Sequence, residues 1–179
     1  DATVRVWDPE SPTDPTVLTG HPNNVTSVEF VGGGDSLVSG GIGDELIVWN
    51  LESESEETRL EGHGQAAAGI SPYGDDRLWS VGYNGTVLLW STDDWSVLDS
   101  FALPTNATPS GLAVEPESEH IAVTRDGGVL VFDADGRRIA EHTTSIKGIS
   151  MPRWCPDRSI LAVGGADGTV RIYDPESTK

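Results

Sequence analysis

Lysine is almost missing from this chain. Only Lys147 and Lys179 stand among its 11 cations, against 29 acidic side chains and a formal net charge of −18. A phosphate backbone is bound by a basic stripe, so no nucleic-acid partner is expected, and an anionic membrane surface is disfavoured for the same reason. Cysteine is reduced to Cys155. That excludes an internal disulfide framework and a cysteine-based zinc site. No apolar run approaches the roughly 18 residues of a membrane-spanning helix. The chain opens on Asp1 with nothing that resembles a secretory leader, and a cytoplasmic location is the expectation.

What is plentiful is turn formers, 21 glycines and 11 prolines in 179 residues of which 36% are hydrophobic. The length suits one domain with a real core, and the composition points to a turn-rich all-β protein. The acidity has two readings. One is a halophilic setting, where salt screens the repulsion and carboxylates hold a hydrated surface. The other is an acidic face for a basic partner. Carboxylates spread along the chain and scarce lysine favour the halophilic one.

Aromatic residues recur at 7, 49, 90, 132 and 173, with spacings of 42, 41, 42 and 41. Each closes a run of strand formers: 3–7, 45–49, 86–90, 128–132 and 169–173. The position three before the aromatic is Val4, Leu46, Val87, Val129 and Val170; the one just before it is Val6, Val48, Leu89, Val131 and Ile172. Apolar residues on both parities predict strands buried on both faces. A second apolar pair recurs upstream (Leu37-Val38, Leu78-Trp79, Ile121-Ala122, Leu161-Ala162). A further strand before it ends in Phe30, Ile70, Val114 and Trp154. A more polar strand follows each aromatic, near 16–19, 57–60, 96–102 and 138–141. Four strands per period, none able to bury both faces alone, predict blades stacked about an axis. The tetrapeptide Asp-Pro-Glu-Ser recurs in register at 8–11 and 174–177.

These residues resemble the WD-repeat family of β-propellers, and the resemblance covers essentially the whole chain. Gly20-His21 and Gly62-His63 precede the first strands, and Trp7-Asp8 closes a third. Phe132-Asp133 and Tyr173-Asp174 are variants, while Asn50 and Ser91 replace the Asp after Trp49 and Trp90. The resemblance implies four-stranded antiparallel blades, three complete (21–62, 63–102, 103–142) and two partial (1–20, 143–179). It also implies a hydrogen-bonded tetrad of His, Ser, Asp and Trp in each blade. Mapped here, it gives His21, Ser39 and Trp49 in one blade, and His63, Ser80 and Trp90 in the next. The acid position falls on Asp1, Asn84, Asp126 and Asp167, with Asp44 displaced by one residue. Val163 stands at the serine position of the last blade, where His142 could serve, and Leu103-Pro104 falls near where the third complete blade would carry Gly-His.

Tested as chemistry, these residues point to architecture. The histidines at 21, 63, 120 and 142 lack the spacings of metal sites, so no metal and no cofactor are expected. No nucleophile elbow, phosphate loop or zinc-protease motif occurs. Ser, His and Asp repeat with the blade period, whereas a catalytic triad would be unique. The acidic stretch 52–61 reads as a solvated rim.

The resemblance implies a non-catalytic scaffold that binds a protein or peptide on the loops of one face. Tyr83 and Arg125 are the candidate contacts there, with Ile42 and Ala166 in neighbouring columns. The alternatives are a propeller enzyme or small-ligand sensor with a central-channel site, or a structural domain fused to a catalytic one. The innermost strands 25–30, 67–70, 110–114 and 146–150 offer the channel little besides Glu29 and Lys147. Strand counting leaves a third and fourth strand at the start and a first, second and third at the end. The expectation is part of a seven- or eight-bladed ring, the minority reading a homodimer that closes one.

Overall fold

The computed structural model describes residues 1–174 apart from 106, 146, 149 and 150. The copy of Asp-Pro-Glu-Ser at 174–177 lies, beyond Asp174, outside the described residues, as does Lys179. Seventeen strands form five antiparallel sheets in chain order. The first pairs β1 (Thr3–Asp8) with β2 (Ser11–Thr19). Three four-stranded meanders follow. They are β3 (Val25–Val31), β4 (Ser36–Gly41), β5 (Glu45–Asn50) and β6 (Ser55–Glu61); then β7 (Ala67–Tyr73), β8 (Arg77–Gly82), β9 (Thr86–Ser91) and β10 (Val97–Ala102). The third comprises β11 (Pro109–Val114), β12 (Ile121–Arg125), β13 (Gly128–Phe132) and β14 (Arg138–Thr143). The last sheet holds β15 (Arg153–Cys155), β16 (Arg158–Gly164) and β17 (Val170–Tyr173). These are the blades that the period of about 41 residues predicts.

The core lies between sheets, which is why strands with apolar residues on both parities are stable here. Leu46 and Val48 of β5 face forward onto Ala67, Ile70, Leu78, Leu88 and Trp90 of the next sheet. Their neighbours Ile47 and Trp49 face back onto Val4 and Leu18. The same alternation joins the later sheets. At the two ends each parity loses its cover. Trp7 is 53% exposed where Trp49 is 1%, and Val170 is 72% exposed where Leu46 is 0%. Val28 of β3 is likewise exposed, whereas Ile70 and Leu112, its register equivalents, are buried.

Register corrects two sequence readings. Opposite Leu37, Leu78, Ile121 and Leu161 stand Phe30, Pro72, Val114 and Trp154, so Pro72 rather than Ile70 fills that column. The innermost strand of the last sheet is β15, not 146–150. Lys147 is exposed on a bend before it, and 146, 149 and 150 lie outside the described residues. The register of Trp154 against Leu161 fixes β15 instead.

Neighbouring innermost strands pack without intervening side chains at glycine. A Cβ on Gly69 would stand 2.5 Å from the backbone N of Leu112, and one on Gly111 2.9 Å from the Cα of Met151. This close approach draws β3, β7, β11 and β15 into a tight fan around the axis.

Candidate functional site

Two blades carry a polar triad, buried throughout in one and half-buried at its histidine, His21, in the other. Trp49 Nε1 donates to Ser39 Oγ at 2.7 Å, and that hydroxyl also bonds His21 Nε2 at 2.7 Å. In the next blade Trp90 Nε1 donates to Ser80 Oγ at 2.8 Å, which bonds His63 Nε2 at 2.8 Å. Each links a turn before the first strand (His) to the second and third strands, so it fixes the loops of that face to the blade. Burial pushes the imidazole of His63 down to about 4, against a smaller upward pull from a backbone hydrogen bond with Thr86. His21 is also lowered, by burial and then by the charge of Arg59.

The acid position does other work. Asn84 donates to the carbonyl of His63 and accepts from the amide of Thr86 at 2.9 Å, so it joins the histidine turn to the hairpin. Asp167 accepts from the amide and hydroxyl of Thr169 at 3.1 and 2.7 Å, and Arg171 lies at 3.4 Å. Asp1 makes the same set with Thr3 and Arg5. Asp126 accepts from the amide of Gly148 at 3.0 Å. Asp126 and Asp167 therefore order turns and join no triad with a histidine. A short carboxylate caps its own hairpin two residues on more readily than it reaches a distant ring. His142 stacks on Tyr173 with ring centroids 4.7 Å apart. In the third complete blade Val123, Leu112, Leu130 and Phe132 replace polar contacts by apolar packing.

The triads anchor one face, formed by the connections β2–β3, β4–β5, β6–β7 and β8–β9 and their later equivalents. Ile42 and Tyr83 stand on it, 51% and 41% exposed. Their backbone amides donate to the carbonyls of Asn24 and Ala66, each at 2.9 Å. Both side chains are thus presented from backbone that is already fixed. Arg125 is not presented in this way. Its hairpin has only Asp126 and Gly127 between paired strands, so Arg125 pairs with Gly128 as the last residue of β12. Its guanidinium donates to Glu141 at 2.8 Å and to the carbonyl of Asp126 at 3.0 Å. Ala166 is exposed beside the last hairpin.

Arg59 was invisible as a site residue because it sits in the acidic stretch 52–61. It donates to Glu45 at 2.6 Å, to Glu56 at 2.7 and 2.8 Å, and to the carbonyl of Gly20 at 3.2 Å. It therefore buttresses the His21 turn. At the axis, a cavity of about 300 Å³ is lined by Val25 to Glu29, Met151 and Arg153. Arg153 and Glu29 are 3.6 Å apart there. Burial raises the Glu29 carboxyl, and Arg153 partly offsets the rise. Among the described residues no group of three or more His, Cys, Asp or Glu side chains is placed to hold a metal ion.

The family model described as "WD domain, G-beta repeat" matches residues 13–50 and 136–174. Over 178 residues the chain is 26% identical to human (Homo sapiens) protein NEDD1, covering 96% of this chain and 27% of that protein. It is 26% identical over 180 residues to p21-activated protein kinase-interacting protein 1-like of Danio rerio, covering 100% of this chain and 48% of that protein. It is 27% identical over 178 residues to serine-threonine kinase receptor-associated protein of Mus musculus, covering 99% and 50%. The chain thus spans between about a quarter and half the length of these relatives.

Proposed function

We propose that this chain, which carries WD repeats in a β-propeller fold, is a non-catalytic scaffold that binds a protein partner on the face holding Ile42 and Tyr83. The observation that carries the reading is the pairing of exposed side chains with fixed backbone: two large side chains stand in equivalent positions of adjacent blades, above triads that immobilise their loops. Preorganised anchors lose little entropy on binding, and Tyr is enriched at interface centres. Two of the similar proteins are named for a kinase they interact with or a receptor they associate with. The setting that fits the acidity is a cytoplasm of high salt. Two copies joined through the open columns of Trp7 and Val170 belong to this proposal, and a purely monomeric mass by light scattering at multimolar salt removes that part of it.

Photo-crosslinking residues placed at 42, 83 and 98 test the main reading in cells. Protein adducts are expected at 42 and 83 but not at 98, on the outer strand β10. Adducts confined to 98, or none at all, overturn it. The axial cavity supports a second reading, a small ligand held between Glu29 and Arg153. A compound that raises the melting temperature of the parent but not of Arg153→Ala would favour that one.

A further inference from the structure

The carboxylates are dispersed in sequence but segregated in space. Strands alternate in direction, so successive connections open on opposite faces of the propeller. Connections after β2, β4, β6 and so on, with the segment before β1, hold only four described carboxylates: Asp1, Asp44, Asp126 and Asp167. The other face has the segments 9–10, 32–35, 51–54, 74–76, 92–96, 115–120, 133–137 and 156–157, and Asp174 after β17. These hold fifteen, twelve of them exposed. One described cation stands in the connections of each face, Lys147 on the first and Arg137 on the second. Of the four carboxylates on the sparse face, Asp126 is engaged by Gly148, and Asp1 and Asp167 by the Thr and Arg of their own hairpins. What remains is the exposed Asp44, two residues from Ile42, and amide and hydroxyl chemistry such as exposed Asn23, Gln65 and Thr108 in the connections of the same face.

Resting on the scaffold reading, we infer that the face of Ile42 and Tyr83 takes an uncharged protein segment that presents an apolar side chain, and that the charge asymmetry orients it. An interface core excludes charge because desolvating an ion costs more than desolvating an amide. On a chain of net charge −18, the face almost free of unpaired carboxylates is the one that can be dried. A basic segment is drawn instead to the opposite face, where the carboxylates converge. The face therefore selects against cationic partners by position. Binding to it depends little on salt, since few charges are paired or released.

The test uses two panels of immobilised peptides of about 12 residues, long enough to cover two adjacent blades. One panel is uncharged, with a single Leu, Phe or Trp among Asn, Gln, Ser and Thr; the other carries Lys and Arg. Binding of the whole chain to the uncharged panel is expected, with Kd changing less than about threefold between about 0.15 M and about 2 M KCl. Replacing Ile42→Ala and Tyr83→Ala together should weaken that binding by roughly tenfold or more. Neutralising Asp75→Asn, Asp76→Asn and Glu117→Gln together should leave it unchanged. Binding of the basic panel alone, lost on neutralising those three, overturns the inference and leaves the scaffold reading standing. Binding of neither panel removes both.

Discussion

Glu29 and Arg153 stand 3.6 Å apart, yet the strands that carry them, β3 and β15, are separated in the fan by β7 and β11. The pair spans the axis and ties the first complete blade to the last sheet. The Arg153 side chain is 62% exposed, so solvent screens the pair and its contribution to stability is small. Arg153→Met should lower stability by less than about 1 kcal/mol. Its clearer effect is on Glu29, whose carboxyl is already raised by burial and loses the one opposing charge. Titration followed by carboxyl-carbon NMR should show Glu29 moving further up. An unchanged or lowered value would mean that the guanidinium does not face it.

The hydroxyl of Ser80 serves both Trp90 and His63, so Ser80→Ala orphans two buried polar groups at once. A loss of about 2–4 kcal/mol is expected in denaturant unfolding. Replacing the set together, Ser80→Val with His63→Leu and Trp90→Phe, imitates the apolar solution around Val123 and Phe132. That triple change should cost less than the single changes sum to, because no partner is left unpaired. Simple additivity would show that the three groups do not act as a unit.

His63 makes stability sensitive to acid. Its folded-state value of about 4 lies below the ordinary 6.5, so the unfolded chain binds this proton more tightly than the folded one. The contribution of neutral His63 is complete above pH 6.5 and is lost as pH falls from 6.5 toward 4. It amounts to a few kcal/mol at most, at about 1.4 kcal/mol per pH unit. His63→Asn should be less stable at neutral pH and show a shallower decline over that window. Parallel pH profiles for parent and variant would refute the assignment.

Gly69 faces the backbone of the next innermost strand, where no side chain can swing away. Gly69→Ala should therefore cost on the order of 1–3 kcal/mol through overpacking. Gly43→Ala, whose new Cβ would meet only the Pro22 Cγ at 3.9 Å, should be near neutral. Equal melting temperatures for the two variants would mean that the fan of inner strands is looser than described.

The strands and blade period were legible because each blade repeats the same apolar columns, and five registered copies average out local ambiguity. The triads were legible too, since His, Ser and Trp recur at fixed offsets. Arg125 stands differently from Tyr83 because counting back from Phe132 assumes hairpins of one length, and its hairpin has two residues between strands where that of Tyr83 has three. Pro72 was overlooked in favour of Ile70 because hydrophobicity, not register, selected the column. The part played by Arg59 was hidden by its neighbours: seven of the residues in 52–61 are carboxylates or their flanking serines, and nothing in that stretch announces that one guanidinium turns back under the His21 loop. The segregation of acid onto one face needs strand direction as well as sequence, so a linear reading sees only dispersal.

The aromatic spacings of 42, 41, 42 and 41 give that segregation a history. A unit of four strands begins and ends on the same side of the molecule. Each time such a unit is copied in tandem, its acidic connections arrive beside those of its parent and its neutral ones beside theirs. The polarity of the molecule thus needs no separate invention in each blade, and it would survive gain or loss of a whole repeat while a single added strand would invert everything downstream of it.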